Sequence, residues 1–345
     1  MADHYLLFLN ISYSFPILRP LQEAIRKRGE KAAWFLHGLD ASFLKDDEDQ
    51  LKTVDEVKNF NPRAVFVPGN WVPDFFPGAK VEIFHGFGIE KRGYFDIRGF
   101  FDLYCTHGPL TTAPFKTLAR RHGFFHVNET GWPKVDALFQ YKTEKTWKEA
   151  NKVDKPVVLY APTFRPSLCS APALKQTICE LAKKDYFHWL VKFHSLINGD
   201  VARSYHQMEG QNIQVIEDPD IIPYLYAADV MLTDTSSVVT EFLLLNKPVV
   251  TFRTKSPAPH VLDFREPKDL EPALRSVMQH PDELMHEARK FVSQMHPYSD
   301  GKSSDRVLDA TEDFIANYSR SLKRKPLNLW RKLQVRQRLK YYHIK

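Results

Sequence analysis

Short apolar runs recur along the body of the chain in two series, and this spacing limits what it can fold into. Tyr5 to Leu9, Ala32 to Leu36, Ala64 to Val67, Val81 to Phe84 and Leu103 to Cys105 form the first, with helix-like stretches such as Leu21 to Gly29 between some of them. Val157 to Tyr160, Trp189 to Phe193, Ile213 to Ile216, Val230 to Leu232 and Val249 to Phe252 form the second. Short runs that are apolar throughout suit strands buried on both faces, and strands alternating with helices build parallel sheets through crossover connections. The polar stretch Gln140 to Lys155, ahead of Pro156, reads as the linker. The fold expected is α/β, with two doubly wound Rossmann-like domains facing each other across a cleft: residues 1–150, then 151–310, with helices after Pro297 and a basic helical tail over 311–345. A length of 345 residues agrees, because a single core rarely serves so many.

Several classes are excluded. No run of 18 apolar residues occurs, so no spanning helix is expected. The N-terminal MADHYLLFLNISYSF alternates like a first strand and lacks a basic segment and a cleavage site, which points to the cytoplasm. Cys105, Cys169 and Cys179 have no CxxC spacing, which fits a reducing compartment and no structural zinc. GxSxG, HExxH and the kinase signatures are missing, and Gly301-Lys302-Ser303 is no P-loop because His296 stands where its first glycine belongs.

Net charge is +6, yet residues 320–345 hold ten Lys/Arg and no Asp/Glu, so the body is mildly acidic and the tail strongly basic. If Pro326 opens a helix, Leu329, Trp330, Leu333, Tyr341 and Ile344 share one arc among cations while Val335 and Leu339 point elsewhere. This reads either as contact with an anionic membrane surface or as a terminal helix packed on the body. No nucleic-acid reader motif accompanies the charge, so nucleic acid is not an expected partner.

Candidate chemistry lies after strands, where ligands of such sheets bind. Asp234-Thr235-Ser236-Ser237 leads from a strand into the helix-like Val238 to Leu245, and hydroxyls beside free backbone N–H groups favour a phosphate. The same residue types also serve as ordinary helix caps. His85 follows one strand and His194 another, with Lys192 two residues before His194. Imidazole titrates near neutral pH and suits proton transfer, although single histidines are more often structural. Thr163 and Arg165 lie in a turn after Tyr160, where a guanidinium can hold a phosphate in a fork geometry. Gly86 and Gly88 are followed too late by Gly93 for a dinucleotide fingerprint, and no metal site is legible.

The order of these elements resembles the CDP-glycerol glycerophosphotransferases of teichoic acid and capsule polymer synthesis. The resemblance rests on His85-Gly86, Gly131-Trp132-Pro133-Lys134-Val135-Asp136, Tyr160 to Arg165, Lys192-Phe193-His194, Thr233 to Ser237 and Asp300 to Arg306. Three departures stand out: Phe87-Gly88-Ile89-Glu90 after the first element, Ser195 in place of the usual proline, and Thr235 in place of tyrosine. It implies a GT-B fold and transfer of glycerol phosphate from CDP-glycerol to a hydroxyl of a lipid-linked or polymeric acceptor, releasing CMP, at the cytoplasmic face of the membrane. In that reading His85 takes the acceptor proton and His194 stabilises the diphosphate. Ser236, Ser237, Lys192, Arg165 and Thr163 hold the diphosphate, and Glu241 and Asp234 face the nucleotide. Glu241 equally fits a solvent-facing helix position. No tightly bound cofactor is expected, and no motif indicates a divalent cation. Two other readings share the architecture: a GT-B glycosyltransferase or epimerase using a UDP-sugar, and a non-catalytic, membrane-peripheral nucleotide-binding protein.

Overall fold

The structure is a computed structural model that describes residues 3–89, 93–255 and 257–342, which leaves Glu90, Lys91, Arg92 and Ile344 outside the described residues. It divides into two compact units, residues 1–140 with 294–345, and residues 141–293.

The first unit is built on a parallel sheet of β1 (His4–Leu9), β2 (Lys31–Leu36), β3 (Ala64–Val67), β4 (Ala79–Glu82), β5 (Leu103–Thr106) and β6 (His126–Glu129), in the order β2-β1-β3-β4-β5-β6. The second repeats the plan with β7 (Val157–Tyr160), β8 (His188–Val191), β9 (Ile213–Val215), β10 (Val230–Thr233), β11 (Val249–Phe252) and β12 (Leu262–Phe264), in the order β12-β11-β10-β7-β8-β9. The apolar runs became buried strands, eight of them interior and two, β2 and β9, at sheet edges. Two strands were not anticipated. β6 and β12 are the outermost strands of their sheets, pair on one side only, and carry the polar His126, Asn128, Glu129 and Asp263. β4 stops two residues before its expected end because Phe84 turns to a left-handed φ of 58°.

The expected boundaries at 150 and 310 are corrected to 140 and 293, and a pair of carboxylates explains the second shift. Buried Asp136 accepts from the backbone N–H of Ser303 at 2.7 Å and of Ser304 at 2.6 Å, satisfying the start of the helix Ser303–Asp313. At the other end of that helix, Glu312 accepts from the Tyr5 hydroxyl at 2.7 Å and from Arg63 Nε at 2.8 Å. The returning segment therefore completes the first unit. The two-sided polar contact also answers the resemblance to a P-loop: the N-terminus at Ser303 is already occupied by a carboxylate.

The tail belongs to the first unit too, and its inner face differs from the expected arc. In the helix Leu329–Leu339, Val335 is buried in the first core, with Leu339 and Tyr341 packed at its edge. Lys325 reaches Asp102 at 2.7 Å, and Lys332 and Arg336 flank Asp74. Leu329 and Trp330, two residues of the expected arc, remain about 70% exposed. Asn328, left-handed at φ 51°, starts the helix and sets this rotation.

Replacing Asp136 leaves two buried N–H groups without an acceptor, at roughly 1–3 kcal/mol each. Asp136→Ala should lower first-unit stability by about 3 kcal/mol in urea unfolding. An unchanged midpoint would contradict the assigned role.

Candidate active site

In the second unit the strand order reverses between β7 and β10, the switch point beside which open α/β sheets bind ligands. The loops after β7 and β10 are joined there by one buried carboxylate. Asp234 accepts from the backbone N–H of Thr163 at 2.8 Å, of Thr235 at 2.7 Å and of Ser170 at 2.9 Å, and from the Ser170 hydroxyl at 2.7 Å. Ser170 is held in turn by the buried Tyr160 hydroxyl at 2.8 Å. Asp234 is thus a brace for both loops, a different task from the nucleotide contact expected of it.

That brace presents the hydroxyl turn. Ser236 is half-buried and Ser237 exposed, and the Ser237 side chain makes no cap bond. Ser236 Oγ stands 3.5 Å from the Val238 N–H, a weak contact. Capping therefore takes up little of either hydroxyl. Arg165 is exposed on the other loop. Glu241 is buried in the helix Val238–Leu244, which overturns the solvent-facing alternative.

After β8, His194 accepts from the Leu196 N–H through Nδ1 at 3.1 Å, and its ring lies 4.5 Å from Phe164. An accepting Nδ1 places the proton of the neutral ring on Nε2. Partial burial lowers its pKa from the ordinary value and favours that neutral form. Lys192 is corrected: its ammonium bonds the carbonyls of Ile216 and Asp218 and so secures the loop after β9.

In the first unit, the carboxyl ends of three neighbouring strands, β4, β5 and β6, supply His85, His107 and Trp132. His85 is exposed, and its Nδ1 lies 3.2 Å from the Pro68 carbonyl, so the neutral ring carries its proton on Nδ1 and its lone pair on Nε2. This is the opposite tautomer to that of His194. Behind it, His107 packs between Phe84 at 5.3 Å, Phe87 at 5.0 Å and Trp132 at 5.6 Å. His296, from the returning segment, accepts the Trp132 backbone N–H at 2.9 Å. Sequence reasoning passed over both His107 and His296. The Thr-His-Gly after β5 was a third strand-end histidine and the available signal.

No group of three His, Cys, Asp or Glu able to hold a metal occurs among the described residues, and none of their helices is long and apolar enough to cross a membrane.

Comparison with known proteins now bears on the site. The sequence profile described as CDP-Glycerol:Poly(glycerophosphate) glycerophosphotransferase matches residues 114–313. The chain belongs to this glycerophosphotransferase family. The match includes every motif element except His85-Gly86, whose assignment rests on the geometry above and on motif order. A teichoic acid glycerol-phosphate primase of Bacillus subtilis (strain 168) is 25% identical over 261 residues, 67% of this chain and 65% of that protein. A teichoic acid poly(ribitol-phosphate) polymerase of Bacillus spizizenii is 26% identical over 210 residues, 53% of this chain and 33% of that protein. The chain thus spans between a third and two thirds of these curated relatives. A solved structure of the wall teichoic acid polymerase TagF superposes with a TM-score of 0.67 at 15% identity, covering 90% of this chain and 89% of that one. The two parallel-sheet domains are therefore of GT-B type.

Burial pushes the pKa of His107 down to about 3 and of His296 to about 4, against about 6.5 in the unfolded chain. Both folded values are depressed, so the unfolded state binds more protons in between. Their stabilising effect is full above pH 6.5 and is lost as pH falls toward 4. Urea midpoints should drop across that window, and His107→Phe should flatten the drop; a midpoint independent of pH would contradict the burial of neutral rings.

Proposed function

We propose that the protein transfers a polyol phosphate, glycerol phosphate by preference, from its CDP-activated form to a hydroxyl of a lipid-linked or polymeric acceptor in cell-wall polymer synthesis. The observation that carries this reading lies in the second unit: Phe164, on the loop that Asp234 braces, stands 4.5 Å from the His194 ring, whose proton is on Nε2. An imidazole N–H close to a braced loop suits the charge that grows on a departing phosphate. Family membership supports the choice of donor class.

The acceptor oxygen attacks the phosphorus that bears the glycerol, and an O–P bond forms as the bond from that phosphorus to the CMP oxygen breaks. The acceptor proton passes to Nε2 of His85. CMP leaves with the electron pair, and the growing charge on its phosphate is met by Nε2–H of His194, by the guanidinium of Arg165, and by the hydroxyls of Thr163, Ser236 and Ser237. Glu241, one helical turn beyond Ser237, faces the ribose.

The same reading places the protein at an anionic membrane surface. Leu327 at 75% exposure, Leu329, Trp330 and Leu333 form an uncovered apolar strip within a basic segment, a combination that suits insertion between charged headgroups.

The transfer is tested by incubating the protein separately with CDP-glycerol, CDP-ribitol and a UDP-sugar and measuring nucleotide release in the presence of acceptor. CMP from CDP-glycerol is expected, and His85→Ala and His194→Ala should each lower turnover about a hundredfold or more with the fold intact. Release from the UDP-sugar alone would overturn the donor class, and release from CDP-ribitol alone would change the polyol. Parent rates in either variant would remove that histidine from the mechanism.

The membrane contact is tested by vesicle sedimentation. Truncation would also remove Val335 from the core, so the exposed positions are the ones to change. Full-length protein should sediment with phosphatidylglycerol vesicles less and less as salt rises, and Trp330→Glu with Leu333→Glu should abolish sedimentation while sparing CMP release. Equal sedimentation of parent and variant would refute the surface.

A further inference from the structure

We propose that Trp132 and His296 are positioning residues for His85, acting through a hydrogen-bonded chain: His296 Nε2 accepts the Trp132 backbone N–H, the Trp132 indole N–H donates to the Phe84 carbonyl, and Phe84 in its left-handed conformation delivers His85 to the Pro68 carbonyl. This inference rests on the role proposed above for His85.

Phe84 is where the chain would otherwise relax. A bulky residue at φ 58° is strained and persists only when its surroundings over-determine it. Its ring is fixed on several sides, against Tyr94 at 5.5 Å, His107 at 5.3 Å and Phe115 at 5.2 Å. Its carbonyl lies past the last ladder contact, the bond from Ile83 N–H to Val67 at 3.0 Å, and the indole supplies a buried donor at 3.3 Å. Loss of that donor leaves a buried acceptor unpaired and removes the polar tie on the backbone immediately before His85.

The indole is itself placed by the returning segment. Gly131 has φ 79°, and a Cβ there would lie 2.5 Å from Ser303 Oγ and 2.9 Å from His296 Nε2, so only glycine lets the two segments approach this closely. His296 must be neutral to accept the Trp132 N–H, and burial keeps it so. Phe87 completes the packing, 4.8 Å from Trp132 and 6.0 Å from His296. The Gly131 to Asp136 element thus meets the returning segment at two points, Asp136 with Ser303 and Ser304, and Trp132 with His296. The second tie is joined through the Phe84 carbonyl to the residue assigned to proton transfer.

Trp132→Phe keeps the ring packing and deletes only the indole donor, which makes it the informative variant. Its kcat for CMP release should fall between tenfold and a hundredfold, the scale of a small misplacement of a reacting group, with KM for the donor within about twofold. His296→Gln, which retains an acceptor, should stay near the parent, whereas His296→Leu should share the loss. The deciding readout uses no substrate: nitrogen-resolved NMR of the histidine rings should show the Nδ1–H tautomer for His85 in the parent and a mixture of tautomers in Trp132→Phe. An unchanged His85 tautomer in Trp132→Phe overturns the positioning role whatever the kinetics. A shifted tautomer in a protein whose parent turns over none of the donors upholds the positioning role and sinks the transferase reading instead. A further loss when Trp132→Phe is added to His85→Ala would also overturn it, because nothing would then remain to be positioned.

Discussion

Loops at the ends of buried strands and the first turns of helices carry backbone N–H groups that no neighbouring strand or turn satisfies, and in each unit a buried aspartate meets that demand. Asp234 gathers three N–H groups and a hydroxyl from the loops after β7 and β10. Asp136 gathers the first two N–H groups of the helix Ser303–Asp313. A carboxylate without access to water is costly unless its oxygens are filled, and backbone donors cost least to order because the sheets already hold them. Burial raises the Asp136 carboxyl above its usual range, and its hydrogen bonds from Ser303 and Ser304 oppose that rise. The carboxylate and the loop conformation therefore depend on each other, and the exposed groups of each loop gain their rigidity from a residue beneath the surface.

The two histidines show what that rigidity provides. Each ring has one nitrogen engaged by backbone, a carbonyl for His85 and an N–H for His194. Backbone partners of opposite sense select opposite tautomers and leave proton-accepting and proton-donating character on different rings without any change of net charge. A neutral donor such as His194 suits a reaction in which charge grows on a departing phosphate, because the stabilising group is in place before the bond breaks. Behind His85 a second layer of neutral rings, His107 and His296, is kept uncharged by burial.

Much of this was legible in the residues. The interior strands read directly from runs that are apolar on both faces, and the motifs fell at strand ends as a parallel sheet requires. What stayed hidden has physical causes. β6 and β12 are edge strands whose polar residues break the apolar pattern. The boundary at 293 depends on Asp136 meeting Ser303, 167 residues away, a contact that no local pattern encodes. Asp234 and Lys192 carry the charges a nucleotide would select, but the backbone reaches them first. In the tail, the expected arc is split: Tyr341 packs with Val335 on the first core, whereas Leu329, Trp330 and Leu333 stay exposed.

The central claim is that the braced loops of the second unit hold a hydrogen-bond donor and paired hydroxyls ready for a diphosphate. The most direct measurement is a crystal structure with a non-transferable CDP-glycerol analogue. Diphosphate oxygens are expected within hydrogen-bonding distance of His194 Nε2 and of the Ser236 and Ser237 hydroxyls, with the Asp234 brace unchanged. A diphosphate bound elsewhere, with His194 and both serines out of reach, would contradict the account.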